Sequence, residues 1–181
     1  MKLIKLDPDH ADIPRVKQIN AEAFPDNERV EIDDLFNFGS DGTMDILGIY
    51  PDEEIAGFFV ILTAERIVYI AYFAVSAEKR SRGMGSAALA ALRELYRGRQ
   101  VVVDFESVLE PDTDTAQRER RRAFYLRNGF YATGWYMFYM DAEFEITSSE
   151  AEFDKGAFEQ MIADIHARAP MFDPHLYRHD R

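Results

Sequence analysis

Two arginines and two glycines fall within six positions in "RSRGMG", Arg80 to Gly85, directly ahead of the alanine- and leucine-rich run "SAALAALRELY". Residues of these types at this spacing bind anions. Glycine adopts backbone conformations that let successive N–H groups converge on one point, and it removes side chains that would block approach. A helix start adds unsatisfied N–H groups and a partial positive charge, so a phosphate can be held without a deep cationic pocket. Arg80 and Arg82 can add charge-assisted hydrogen bonds. Other phosphate loops fit less well. No run reads Gly-x-x-x-x-Gly-Lys-Ser/Thr, and the third glycine position of a dinucleotide loop is held by Ala88.

The elements around this turn must position it. "RIVYIAYFAV" (66–75) reads as a strand feeding the turn, and the run after it as a helix to about Tyr96, with Ala88, Leu89, Leu92 and Leu95 on one face. Upstream, "KLIKL" (2–6) reads as a strand, "DIPRVKQINAEAF" (12–24) as a helix entered through Asp12 and Pro14, and "VEIDDLFNF" (30–38) as a short helix. "MDILGIY" (44–50) and "EIAGFFVILT" (54–63) complete three antiparallel strands with 66–75. Downstream come a buried strand, "QVVVDFE" (100–106), and a basic helix, "AQRERRRAFYLRN" (116–128), ending at Gly129. "GFYATGWYMFYMDAEF" reads as two strands joined near Gly134, and "KGAFEQMIADIHARA" (155–169) as a last helix stopped by Pro170. This order predicts an α/β fold with a mixed, mostly antiparallel central sheet of about 7 strands flanked by helices.

Composition bounds the rest. With 181 residues and 13% aromatics the chain is long enough for one well-packed domain. It has no cysteine, which excludes disulfides and thiolate chemistry. The N-terminus lacks the apolar stretch of a signal peptide, and no run approaches the ~18 apolar residues of a membrane span. The expectation is a cytoplasmic protein that does not engage a membrane. The formal charge of −12 is uneven: residues 1–60 carry −9, 61–142 carry +2 and 143–181 carry −5. That balance disfavours nucleic acid as the main partner, which needs a basic face. It suits an anionic ligand at the centre and a cationic one at the flanks. "RERRR" (118–122) reads as a solvated helical face, and His175 with His179, lacking a third ligand, as part of a disordered tail rather than a metal site.

"YFAVSAEKRSRGMGSAALAAL" and "RRAFYLRNGFYATG" together resemble the GNAT acetyltransferase superfamily. The first looks like its acetyl-CoA motif and the second like its later helix-to-strand segment. The likeness in element order runs from residue 1 to about 140. It implies a GNAT domain over 1–142, with 143–181 as a helical extension packed on it, and transfer of an acyl group, usually acetyl, from coenzyme A to a primary amine. It implies acetyl-CoA as cosubstrate and no metal. By the same likeness Phe73, Ala74 and Val75 would pair with the pantetheine arm. Arg82, Gly83, Met84, Gly85 and Ser86 would bind pyrophosphate, and Tyr125 would protonate the leaving thiolate.

Direct attack needs a neutral amine, hence a base. Members that place a glutamate four residues before the Phe73 position have their base there; this chain has Tyr69. Alternation puts Asp104 and Glu106 on one face of a strand end, where partial burial would raise a carboxylate's pKa and suit it to accept a proton. Glu106 and Glu28, the latter in "FPDNER", are the candidates, with ordered water as the alternative. The acceptor is expected to be a small-molecule or peptide amine. A non-catalytic acyl-CoA-binding module remains a second reading, and a homodimer is left open.

Overall fold

The computed structural model describes residues 1–26, 29–80, 83–109, 115–139 and 141–179. Among the described residues, five α-helices and one eight-stranded, mostly antiparallel sheet make up the fold, with the strands in the order β1 (Lys2–Leu6), β2 (Met44–Tyr50), β3 (Gly57–Thr63), β4 (Ile67–Val75), β5 (Gln100–Glu106), β7 (Ala142–Ser148), β6 (Tyr131–Tyr139) and β8 (His175–Tyr177). The chain divides into two compact units, Met1–Thr63 with Tyr69–Arg97, and Ala64–Val68 with Gly98–Arg181.

In the first unit β1 (Lys2–Leu6), β2 (Met44–Tyr50) and β3 (Gly57–Thr63) pair antiparallel, with Leu6 opposite Ile46 and Ile49 opposite Gly57. Helix α1 (Ile13–Ala23) buries Ile13, Val16 and Ile19, the apolar stripe expected of 3.6-residue periodicity. Together with Ile32 and Leu35 of α2 (Ile32–Phe38) these close a core over Leu6, Ile46, Phe58 and Val60. Asp12 does not cap α1 with its side chain; its carboxylate accepts from the Tyr50 hydroxyl at 2.6 Å.

In the second unit β5 (Gln100–Glu106) pairs with β7 (Ala142–Ser148), which pairs with β6 (Tyr131–Tyr139). Residues 131–139 are one strand, not two joined at Gly134. The chain reverses instead beside Asp141, at φ 58°. Gly134, at φ 71°, lies in a bulge where the β6–β7 register shifts between Ala132 and Tyr136. Thr133 satisfies the interrupted ladder, donating its hydroxyl to the Ile146 carbonyl at 2.7 Å and accepting from the Trp135 N–H at 3.0 Å. A lone glycine in an apolar run signals a bulge as readily as a turn.

Helix α4 (Thr115–Arg127) is followed by Gly129 at φ 80°, as the C-terminal glycine predicts. Helix α5 (Lys155–Arg168) starts at Asp154, whose Oδ1 accepts from the Ala157 N–H at 3.1 Å. Gln100 staples this start to β5: its Nε2 donates to the Glu152 carbonyl at 2.8 Å and its Oε1 accepts from the Asp154 N–H at 3.0 Å. The expected disordered tail is ordered through residue 179, and His175–Tyr177 forms an eighth strand, β8, antiparallel to β6 with Tyr136 opposite Tyr177. Three residues are too short for period-2 alternation to show in the sequence.

Candidate active site

In the first unit the candidate site is built on β4 (Ile67–Val75), the turn after it, and α3 (Met84–Leu95). The end of β4 is held close to β3. The Ser76 N–H donates to the Ala56 carbonyl at 2.8 Å, and a Cβ at Gly57 would lie 2.2 Å from the Ala74 oxygen. Ala74 therefore turns its main chain toward β3, and strand alternation turns the main chains of Phe73 and Val75 the other way. The Phe73 ring stacks on Phe59, with centroids 4.3 Å apart.

Beyond Val75 the chain makes a 3₁₀ turn at Ala77–Lys79 that is tied to its surroundings. Glu78 meets Arg15 of α1 at 3.3 Å, and Lys79 meets Glu54 at 3.5 Å. Arg80 donates Nε to the Val75 carbonyl at 2.9 Å, closing the turn on the strand that precedes it. Ser81 and Arg82 lie outside the described residues, and so does Glu28.

Gly83 is the N-cap of α3, in the left-handed region at φ 73° and ψ 4°. A Cβ there would meet no atom within 4 Å, so the backbone conformation, not crowding, calls for glycine. The first intrahelical bond runs from the Ala87 N–H to the Gly83 carbonyl at 3.0 Å. The amides of Met84, Gly85 and Ser86 thus belong to the helix start, where no intrahelical acceptor exists. No acidic side chain occupies that first turn. Ala88, Leu89 and Leu92 anchor the helix inward, whereas Leu95 at its end is exposed. This left-handed glycine and helix start, without an acid in the first turn, form a cradle whose chemistry suits an anion.

In the second unit the Tyr125 ring lies flat on Phe105, with centroids 5.3 Å apart and 1° between planes, and meets Phe124 and Phe130 edge-on. Tyr125 is 7% exposed. Burial pushes its phenol above the ordinary value; the nearby Arg121 charge opposes that shift and the Asp104 charge adds to it.

Asp104 and Glu106 share a half-buried face of β5, as alternation requires, with buried Phe105 on the other. Asp104 accepts from the Tyr139 hydroxyl at 2.7 Å. Glu106 is paired to Arg118 of α4, Nε to Oε2 at 3.1 Å, and Arg118 also reaches the Ser107 carbonyl at 3.4 Å. The basic face of α4 is therefore not wholly solvated: Arg118 and, one turn on, Arg122 point inward, the latter bonding Glu145 at 2.8 Å. Sequence reasoning missed both arginines, along with Asn20, which is buried and donates to the Val30 carbonyl at 3.0 Å at the far end of the loop carrying Glu28. For the arginines the signal was their i, i+4, i+7 spacing with Tyr125. Among the described residues no cluster of His, Cys, Asp and Glu could hold a metal ion, and no helix is long and apolar enough to cross a membrane.

Residues 13–130 match the family model described as the acetyltransferase (GNAT) family. The chain belongs to the GNAT acetyltransferases. The match spans the cradle, Tyr125 and Glu106 and stops before β6. No curated protein matches the chain. Among solved structures, a protein assigned to the GNAT family from Bacteroides thetaiotaomicron superposes with a TM-score of 0.74 at 20% identity, covering 94% of this chain and 99% of that one. The ribosomal-protein-S18-alanine N-acetyltransferase of Escherichia coli gives 0.60 at 17% identity, with 84% and 97% covered. A GNAT acetyltransferase from Elizabethkingia anophelis, solved with acetyl-CoA bound, gives 0.56 at 10% identity, with 82% and 97% covered. At these identities the likeness is one of fold.

Proposed function

We propose that this GNAT chain transfers the acetyl group of acetyl-CoA to a primary amine carried on a cationic small molecule or peptide. The observation that carries the reading is the β4–turn–α3 cradle: a left-handed glycine opening a helix anchored by Ala88, Leu89 and Leu92, with the amides of Met84, Gly85 and Ser86 at its start and no acidic side chain in its first turn. Pyrophosphate is assigned to the amides of Arg82 to Ser86, of which Arg82 lies outside the described residues. Phe73 and Val75, whose main chains turn away from β3, are the pantetheine-pairing positions; Ala74 is left to support them.

The neutral amine attacks the thioester carbonyl, a C–N bond forms, the C–S bond breaks, and the thiolate leaves. Tyr125 is assigned to that thiolate. A phenol held above its usual value stays protonated at neutral pH, so it stabilises the thiolate first as a hydrogen-bond donor and completes transfer only to a basic sulfur. The ammonium's proton goes to Glu106, Glu28 or ordered water; a second proton leaves the nitrogen as the amide forms and balances the one the thiolate takes up. For Glu106 this requires the amine to share the carboxylate with Arg118.

The test has two parts. Gly85→Glu places a bulky anion in the cradle and is expected to abolish measurable acetyl-CoA binding by calorimetry in a folded protein; near-normal affinity would make the turn purely structural. Thiol release from acetyl-CoA across a panel of amines then separates the enzyme from an acyl-CoA-binding module, which binds without turnover.

A further inference from the structure

Residues beyond the family match make contacts that converge on the end of β5. The buried carboxylate of Glu143, 6% exposed, accepts from the Tyr177 hydroxyl at 2.5 Å and meets His179 Nε2 at 2.8 Å. Between these, Arg178 places its guanidinium carbon 4.4 Å from the centre of the Trp135 ring, which also carries Lys155 Nζ at 4.7 Å. Tyr136 packs against the His179 ring at 4.6 Å. Three successive side chains are thus fastened to β6 and β7, though the ladder of β8 itself spans three residues.

The fastening point leads directly to a candidate site residue. The main-chain carbonyl of Glu143 accepts from the Ser107 N–H at 2.8 Å, and its neighbour Phe144 lies in register with Glu106. Ser107 in turn offers its carbonyl to Arg118, the residue that holds Glu106. On the other side Phe172 packs edge-on against Tyr139, whose hydroxyl donates to Asp104. The tail therefore braces β5 at residues 104 and 107, on both sides of Glu106.

We propose that residues 170–179 form a positioning strap, fastened at Glu143 through Tyr177 and His179, that sets the Glu106 carboxylate for the amine. This rests on the reading of Glu106 as the proton acceptor. The strap touches no reacting atom; it acts through Glu143, Ser107 and Arg118. A shift of about 1 Å in a group that handles a proton can cost on the order of a hundredfold in rate.

The experiment uses the full chain with Tyr177→Phe and His179→Gln together, which leave every core residue in place, and Glu143→Gln as a second route to the same loss. Trp135 is the single tryptophan of the chain, so its emission reports whether Arg178 still lies over it. The expected result is a changed Trp135 emission, faster hydrogen exchange of the Ser107 amide, and a fall of about 10- to 100-fold in kcat/KM for the amine, with acetyl-CoA affinity unchanged. His179→Lys, which offers Glu143 an ammonium in place of the imidazole, should keep much of the activity when Tyr177 is intact. Unchanged emission in the double variant would refute fastening at Glu143. A freed strap with unaltered Ser107 exchange and unaltered amine kinetics would refute the positioning role. Should the unmodified chain release no thiol with any amine, the proposed function fails, and Ser107 exchange alone then decides the strap.

Discussion

Tyr125 illustrates how much a single residue's role depends on its surroundings. Its motif position suggested an acid; its setting between Phe105, Phe124 and Phe130 supplies the burial that keeps the phenol protonated. Tyr125→Phe keeps the stacking and removes the donor, so kcat should fall roughly 10²–10⁴-fold with acetyl-CoA affinity nearly unchanged. Steady-state kinetics beside calorimetry would check it, and an unchanged kcat would leave the ring as packing. Glu143 gives a pH prediction. Burial pushes its carboxyl up, but the hydrogen bonds from Tyr177 and Ser107 and the adjacent His179 outweigh it, so the net shift is downward. A depressed carboxylate contributes stability that is complete above its unfolded value, near ~4.3, and is lost as pH falls through its lower native value. Titrating the Trp135 emission into acid should therefore show the tail released below about pH 4, and later in the titration than an ordinary carboxylate would protonate.

The elements were legible where periodicity is long and were missed where geometry is local. The stripe Ile13, Val16, Ile19 fixed α1, and β1, β2 and β5 have the ends that the sequence suggested. β3 begins at Gly57 rather than residue 54, and Gly57 sits at a close approach that no sequence pattern reveals: a Cβ there would lie 2.2 Å from the Ala74 carbonyl oxygen. Gly57→Ala should cost about 1–3 kcal/mol, because the neighbour is backbone and cannot swing aside. It should also weaken acetyl-CoA binding by shifting Phe73 and Val75, which thermal melts and calorimetry would show together. In the second unit Gln100 joins β5 to the start of α5 through two main-chain groups. Gln100→Ala removes the partner of the part-buried Asp154 N–H and of the Glu152 carbonyl, and a loss of about 1–3 kcal/mol in denaturant unfolding is expected. Neither partner is near Gln100 in sequence, so the staple could not be read from spacing.

For the whole molecule, the fold class and the family were legible in the sequence, because a glycine-rich turn between a strand and a helix is a local signal. The partners of Glu106 and the role of the tail depend on contacts between distant segments, and were invisible. Charge acts at this scale too. Residues 1–60 carry net −9, and such a field concentrates cations, an effect that salt screens within about 10 Å at 0.1 M. Cationic amines should be the better acceptors, with kcat/KM falling as ionic strength rises; a best acceptor that is anionic and indifferent to salt would overturn the charge argument. The bulge at Gly134 has a consequence for solubility. Among the described residues β8 pairs with β6 at Tyr136–Phe138, and Tyr131, on the other side of the bulge, is 50% exposed. A straight, flat, half-covered strand of this kind templates the addition of further chains, and a bulge bends it out of the plane such stacking needs. Gly134, held at φ 71°, is then a safeguard against self-association. Gly134→Val, which favours a regular strand, should turn a well-behaved chain into one that scatters light on mild warming, before its helices melt.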